Sequence, residues 1–158
     1  MDIVVRRAEI RDTARIRELL LQVCHVHAVG RPDIFRDGGT KYTDAALMTL
    51  IEDDTRPIFV AVDPEGKVLG YCFTVLIVTE NSTMMVPRKE LYIDDLCVDE
   101  EVRRQHVGQI LYDHVKAFAK EIGCYHLTLN VWACNPSAMR FYEKQGMQML
   151  KKEMEVIL

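Results

Sequence analysis

The sequence has no apolar run near the roughly 20 residues that a membrane-crossing helix needs, no internal repeat and no low-complexity tract. Its start, MDIVVRRAEI, lacks the basic-then-apolar layout of a secretory leader, so a cytoplasmic chain with no membrane partner is expected. A basic surplus is missing too: 20 Lys and Arg stand against 24 Asp and Glu, for a net charge of −4. That balance argues against a nucleic acid partner. Cysteine pairs are also missing. Cys24, Cys72, Cys97, Cys124 and Cys134 are odd in number, form no CxxC spacing and lie mostly in apolar runs. They read as buried free thiols. Cys24, His25 and His27 have no second ligand cluster to complete a metal site, so no metal is expected.

What is present fits one globular domain spanning residues 1–158, with 49% hydrophobic and 28% charged residues. Residues 2–8 read as a first strand. Asp12 is placed to cap a helix to about Ala28, with Ile16, Leu19, Leu20, Val23 and Cys24 on one stripe. GRPDIFRDGG (30–39) is loop, and Thr43 caps a short second helix. PIFVAV (57–62), the turn DPEG and residues 67–80 make a hairpin. After a loop (81–89), ELYIDDLCVD (90–99) is a fourth strand. A helix follows over about 107–122, ended by Gly123, then a fifth strand (125–132). Asn135 and Pro136 start another helix, which Gly146 stops. Residues 147–158 read as a closing strand that can pair across a homodimer. The order βαα, ββ, βαβαβ predicts an α/β sheet with both parallel and antiparallel pairs.

The stretch RRQHVGQ (103–109) lies between the fourth strand and the following helix. The first N–H groups of a helix have no partners within it, and its dipole adds roughly half a positive charge. Arg103 and Arg104 add two full charges, and Gly108 leaves room at the backbone. The junction is a candidate phosphate cradle. A solvated basic turn is the plainer alternative.

Two motifs extend this reading. R-R-Q-H-V-G (103–108) and N-P-S-A-M-R-F-Y-E-K-Q-G (135–146) together resemble the GCN5-related N-acetyltransferases, the GNAT superfamily, with Arg103, Gly108, Asn135, Ala138, Phe141, Tyr142 and Gly146 matching. The motif-bearing region covers about residues 92–147. The resemblance implies a GNAT-like mixed sheet of about six to seven strands with four helices, in which strands four and five splay apart at a cofactor cleft. It implies acetyl-CoA as co-substrate, with no metal, and transfer of an acetyl group to a primary amine of a small molecule or peptide by direct attack in a ternary complex. Arg103, Arg104, Gln105, His106, Val107, Gly108 and Gln109 would hold the pyrophosphate. The main chain of Leu96, Cys97 and Val98 would take the pantetheine arm, and Asn135, Ser137 and Tyr142 would complete the cofactor set.

The same resemblance makes Tyr142 the general acid. Asp94 and Asp95 are candidates for the base. Strand alternation sends them to opposite faces unless a bulge intervenes, and pairing with a nearby arginine or capping a loop is the competing structural role. One departure stands out: His106 occupies the family's first glycine position. A positive φ there costs a histidine on the order of 1 kcal/mol. The acceptor wall is expected from about His25 to Tyr42, bordered by Trp132 and residues 81–89. Arg31 meets either a substrate carboxylate or Asp33. A non-catalytic acyl-CoA-binding regulator is the alternative function.

Overall fold

A computed structural model describes residues 1–158. One mixed sheet runs in the order β1 (Val4–Arg7), β2 (Ile58–Val62), β3 (Val68–Thr79), β4 (Arg88–Val98) and β5 (His126–Leu129). The first three pairings are antiparallel and β4–β5 is parallel. Four helices complete the α/β fold: α1 (Thr13–Gly30), α2 (Asp44–Ile51), α3 (Val107–Glu121) and α4 (Pro136–Lys144).

The sheet separates two apolar clusters. Ile16, Leu19 and Leu20 of α1 and Leu47 and Ile51 of α2 pack with Ile58, Val60, Tyr71 and Phe73 on one face. Val107, Leu111, Tyr112, Val115 and Ala119 of α3 pack with Phe59, Ala61, Leu69, Cys72, Leu91 and Ile93 on the other. β2 is buried along its whole length, as a strand covered by helices on both faces must be. The approach at Gly70 is tight: a Cβ there would lie 2.8 Å from the Cys97 carbonyl oxygen and 3.1 Å from Leu111. Glycine lets β3, β4 and α3 close on one another.

Several local expectations coincide with the structure for local reasons. The Thr43 hydroxyl accepts from the Ala46 amide, and the Asn135 side chain accepts from the Ala138 amide. Gly123 and Gly146 take φ of +79° and +83° after α3 and α4. Arg31 forks onto Asp33 at 2.9 and 2.8 Å and also grips Glu155. All five cysteines are free thiols, but only Cys72 and Cys97 are buried; Cys24, Cys124 and Cys134 are partly exposed.

Two expectations need correction. Asp12 does not cap α1. Its buried carboxylate accepts from both terminal nitrogens of Arg6 and from the Glu9 amide, and an oxygen so engaged cannot turn to the helix. Residues 147–158 are not a sixth strand of the sheet. They run straight, without helix, turn or bend, and pair with no strand of the chain. The sheet therefore has five strands rather than six to seven. No helix is long and apolar enough to cross a membrane.

Candidate active site

β4 and β5 pair from Glu90↔His126 to Ile93↔Leu129 and then part. β4 runs on to Val98 hydrogen-bonded only to β3. The main chain of Leu96, Cys97 and Val98 thus presents one unpaired edge to the opening between the strands. Leu96 and Val98 send their side chains into the α3-side cluster. Cys97 turns to the α1 side, its Sγ 3.5 Å from the Leu19 carbonyl. Burial, with help from Asp95, pushes this thiol up to about 12, so it is neutral at physiological pH.

The strands part at a bulge. Phe73 faces Asp95, yet the next residue, Thr74, faces Ile93, leaving Asp94 without a partner on β3. Ile93 and Leu96 stay on the α3 side. The two aspartates between them therefore both face α1 and α2, where plain alternation would have separated them. Asp94 accepts from the Tyr42 hydroxyl at 2.6 Å and pairs with the Lys41 ammonium at 2.9 Å. Asp95 accepts from the Tyr71 hydroxyl at 2.8 Å. Burial lifts the Asp95 carboxyl up to about 6, against the pull of the Tyr71 hydrogen bond and Lys41. Burial also raises Tyr42 above its usual phenol value, with the Asp94 bond adding to it.

Near this opening lies Tyr142, on α4. Its ring packs into the α3-side cluster, 5.1 Å from Phe141 and 6.4 Å from Tyr112. Burial raises its hydroxyl well above the usual phenol value, and Asp95 is close enough to contribute. The Phe141 ring covers Gly108: a Cβ on that glycine would sit 3.5 Å from it and from Val98, ordinary contact. The side of Gly108 that lacks a side chain is thus turned inward rather than toward the loop surface. Gln109 is occupied as well, exchanging two amide hydrogen bonds with Gln145 at 2.6 and 2.7 Å.

Residues 103–106 form an exposed loop before α3. Arg104 and His106 both take left-handed backbone, at φ of +80° and +61°, a conformation that costs non-glycine residues energy and that clusters at functional sites. The consequence is a row of free donors. Among residues 103–109, only the Gln105 amide donates within the chain, to the Val102 carbonyl. The amides of Arg103, Arg104, His106, Val107, Gly108 and Gln109 donate to no group of the chain. They lie at the positive end of a 15-residue helix, next to the free β4 edge. This donor set fits an anionic, peptide-like ligand such as a coenzyme A thioester: amides and arginines for phosphates, a strand edge for amide groups.

Asn135 caps α4 and Ser137 is exposed on its first turn. The sequence signals at Cys24, His25 and His27 lead to three separate contacts: Cys24 with the Arg36 carbonyl, His25 with Asp37, and His27 with the rings of Phe35 and Trp132. Sequence reasoning passed over Tyr71, the hydrogen-bond donor to Asp95. It also passed over Tyr92 and Asn130, which are joined by a hydrogen bond at 3.1 Å beside the bulge. No motif marks them; only the register of β3, β4 and β5 brings them there.

A parted β4–β5 pair, with a cationic helix start at its mouth and a partly buried tyrosine beside it, gives this α/β domain a cleft whose donors suit an acyl-CoA-like ligand. The chain belongs to the Acetyltransferase (GNAT) family, whose signature matches residues 21–147. Streptothricin acetyltransferase of Streptomyces lavendulae is 30% identical over 110 residues, covering 70% of this chain and 52% of the relative. A protein of Drosophila melanogaster described as probable glucosamine 6-phosphate N-acetyltransferase is 23% identical over 137 residues, covering 82% of this chain and 52% of the relative. The chain spans about half the length of these curated relatives. Among solved structures, a tetramutant of the BH1408 protein from Bacillus halodurans superposes with a TM-score of 0.93 at 30% identity, covering 98% of this chain and 99% of that one.

Proposed function

We propose that the protein is an acetyl-CoA-dependent N-acetyltransferase acting on a primary amine of a small molecule or peptide. The row of unpaired amides over 103–109, continuous with the free edge of β4, is the observation that carries this reading. The relatives named for streptothricin and for glucosamine 6-phosphate support an amine acceptor. In this reading Arg103, Arg104, Gln105, His106, Val107, Gly108 and Gln109 hold the pyrophosphate. The main chains of Leu96, Cys97 and Val98 hold the pantetheine amides, and Asn135 and Ser137 border the arm. Acetyl-CoA, when bound, supplies the acyl thioester.

The protein's own groups then manage two protons. Asp95, with its carboxyl near 6, is mostly ionised at neutral pH yet basic enough to accept a proton from the acceptor ammonium. Asp94 is a positioning group: tied to Lys41 and Tyr42, it fixes those two side chains beside Asp95 and is not free to leave its partners. Tyr142, held protonated by burial, gives its hydroxyl proton to the departing sulfur. Tyr142 and Asp95 thus divide the acid and base roles across the opening.

The test is a turnover screen. Purified protein with acetyl-CoA and a panel of aminosugars, polyamines, peptide N-termini and lysine peptides should release free thiol with at least one acceptor. Tight binding of acetyl-CoA with no thiol release across the panel would favour the acyl-CoA-binding regulator instead. Failure to bind coenzyme A at all would end both.

A further inference from the structure

Tyr71 and Phe73 lie on the α1 side of β3, and the sheet register sets them against the acidic end of β4. Phe73 pairs directly with Asp95, and Tyr71 pairs with Cys97. Asp95 is therefore the diagonal neighbour of Tyr71, a separation that an aromatic side chain spans. The bulge leaves this relation intact, because the extra residue is Asp94. The Tyr71 hydroxyl donates to Asp95 Oδ2 at 2.8 Å. A second tyrosine, Tyr42, donates to Asp94 at 2.6 Å. The Phe73 ring packs against both, 4.9 Å from Tyr71 and 5.4 Å from Tyr42.

The two tyrosines are not equivalent. Tyr42 shares Asp94 with the Lys41 ammonium, so loss of one donor leaves the other. Asp95 has no ammonium or guanidinium bonded to it, and the Tyr71 hydroxyl is its one side-chain donor. The Tyr71 ring is fully buried and meets the edge of Phe73 at 88°. Burial, with Asp95 adding to it, keeps this phenol well above its usual value, so it stays a donor. Oδ1 of Asp95 takes no side-chain hydrogen bond and is not sealed from solvent. One carboxylate oxygen is gripped from inside the core, and the other is left to meet a proton from outside.

We propose that Tyr71 is a positioning residue for the acetyl transfer: its hydroxyl holds Oδ2 of Asp95, leaves Oδ1 for the proton of the acceptor ammonium, and steadies the ionised form of the carboxylate. This rests on the reading of Asp95 as the base. Other titratable groups face the carboxyl as well: Cys72 from β3, Asp94 and Cys97 from β4, Lys41 and Tyr42 from the segment between α1 and α2, and Tyr142 from α4. Burial raises the carboxyl, and Asp94 pushes the same way. The Tyr71 bond is the strongest influence against them, ahead of the Lys41 charge. Without that bond the carboxyl rises further, and more of the base is protonated and idle at neutral pH.

Tyr71→Phe keeps the buried ring and deletes the hydroxyl. The Asp95 carboxyl can be followed by carbon NMR on aspartate-labelled protein, its signal identified by its loss in Asp95→Asn. It should titrate about one pH unit higher in the Tyr71→Phe variant. This measurement needs no acceptor, so it stands whether or not turnover is found, and an unmoved titration would overturn the proposal. With an acceptor, the acid limb of kcat/KM should move up with the carboxyl. Activity then falls severalfold near pH 6 and returns to the parent's value by about pH 8.5. A uniform loss at every pH would mean that Tyr71 serves the fold alone, and would overturn its part in the reaction. A carboxyl that shifts while the limb stays put would remove Asp95 as the base, and the part of Tyr71 with it. In an Asp95→Asn background, Tyr71→Phe should cost at most about twofold near pH 6. An undiminished cost there would show that Tyr71 acts through another group.

Discussion

The side-chain amides of Gln109 and Gln145 bond each other twice, at 2.6 and 2.7 Å, and so lock the first turn of α3 to the end of α4. One helix start carries the free amides; the other helix carries Tyr142. The two side chains fix the distance between the two halves of the proposed site, while the main-chain amide of Gln109 stays free as one of the loop donors. Gln145→Ala should cost about 1 kcal/mol, the usual worth of a lost hydrogen-bonded pair, seen as a fall in Tm of roughly 2–4 °C for a domain of this size. It should also lower kcat severalfold with little change in acetyl-CoA affinity, since the Gln109 amide remains. An unchanged kcat would show that Tyr142 is held by its ring contacts alone.

Tyr142→Phe keeps the ring in the α3-side cluster and removes only the hydroxyl, which makes no hydrogen bond within the chain. Stability should therefore stay within about 0.5 kcal/mol, while kcat falls tenfold or more. Thermal unfolding and steady-state kinetics read the two effects separately. Full turnover in the variant would remove Tyr142 as the acid.

Much of this arrangement is written locally in the chain. The Asn135–Pro136 start of α4 and the glycines that end α3 and α4 are decided by neighbours a few residues away, and there the sequence suffices. The bulge at Asp94 is different. Its existence depends on the register of β3, whose Phe73 and Thr74 skip a residue on β4, and nothing in YIDDLCV marks which aspartate is the extra one. Tyr71 and Lys41 reach the aspartates from other elements, so their roles were invisible until the sheet was assembled. Asp12 had the spacing of a cap and lost it to Arg6, a charged partner that a helix amide cannot outcompete. The C-terminal run had the alternation of a strand but no free edge of its own chain within bonding distance.

His106 sits at φ of +61°. His106→Gly relieves the left-handed strain, and the flexibility that glycine adds to the unfolded chain offsets part of the gain. The expected outcome is a stability change between zero and about +1 kcal/mol with retained acetyl-CoA binding by calorimetry. His106→Val, β-branched at the same backbone angle, should lose 1–2 kcal/mol and weaken binding at least tenfold by pulling the loop amides out of line. If the valine variant bound as tightly as the parent, the left-handed turn would not matter to the cradle.

Asp95 offers the sharpest pH test. Its carboxyl is raised to about 6 by burial, whereas in the unfolded chain it titrates near 3.9. Between those values the folded protein binds the proton that the unfolded chain has released. Stability therefore falls as pH rises from about 4 to about 6, and the loss persists at pH 7. Asp95→Asn removes this penalty and can still accept from the Tyr71 hydroxyl. The variant should be more stable than the parent at pH 7, by an amount on the order of 1–2 kcal/mol after allowance for partial exposure, and equal to it below about pH 4. Activity should move the other way. The parent's kcat/KM should rise with pH through an acid limb near 6, and the variant should lose both the limb and most of the turnover. A variant that kept the limb would assign the base to another group. A variant no more stable at pH 7 would mean that Asp95 ionises freely and that burial is not what tunes it.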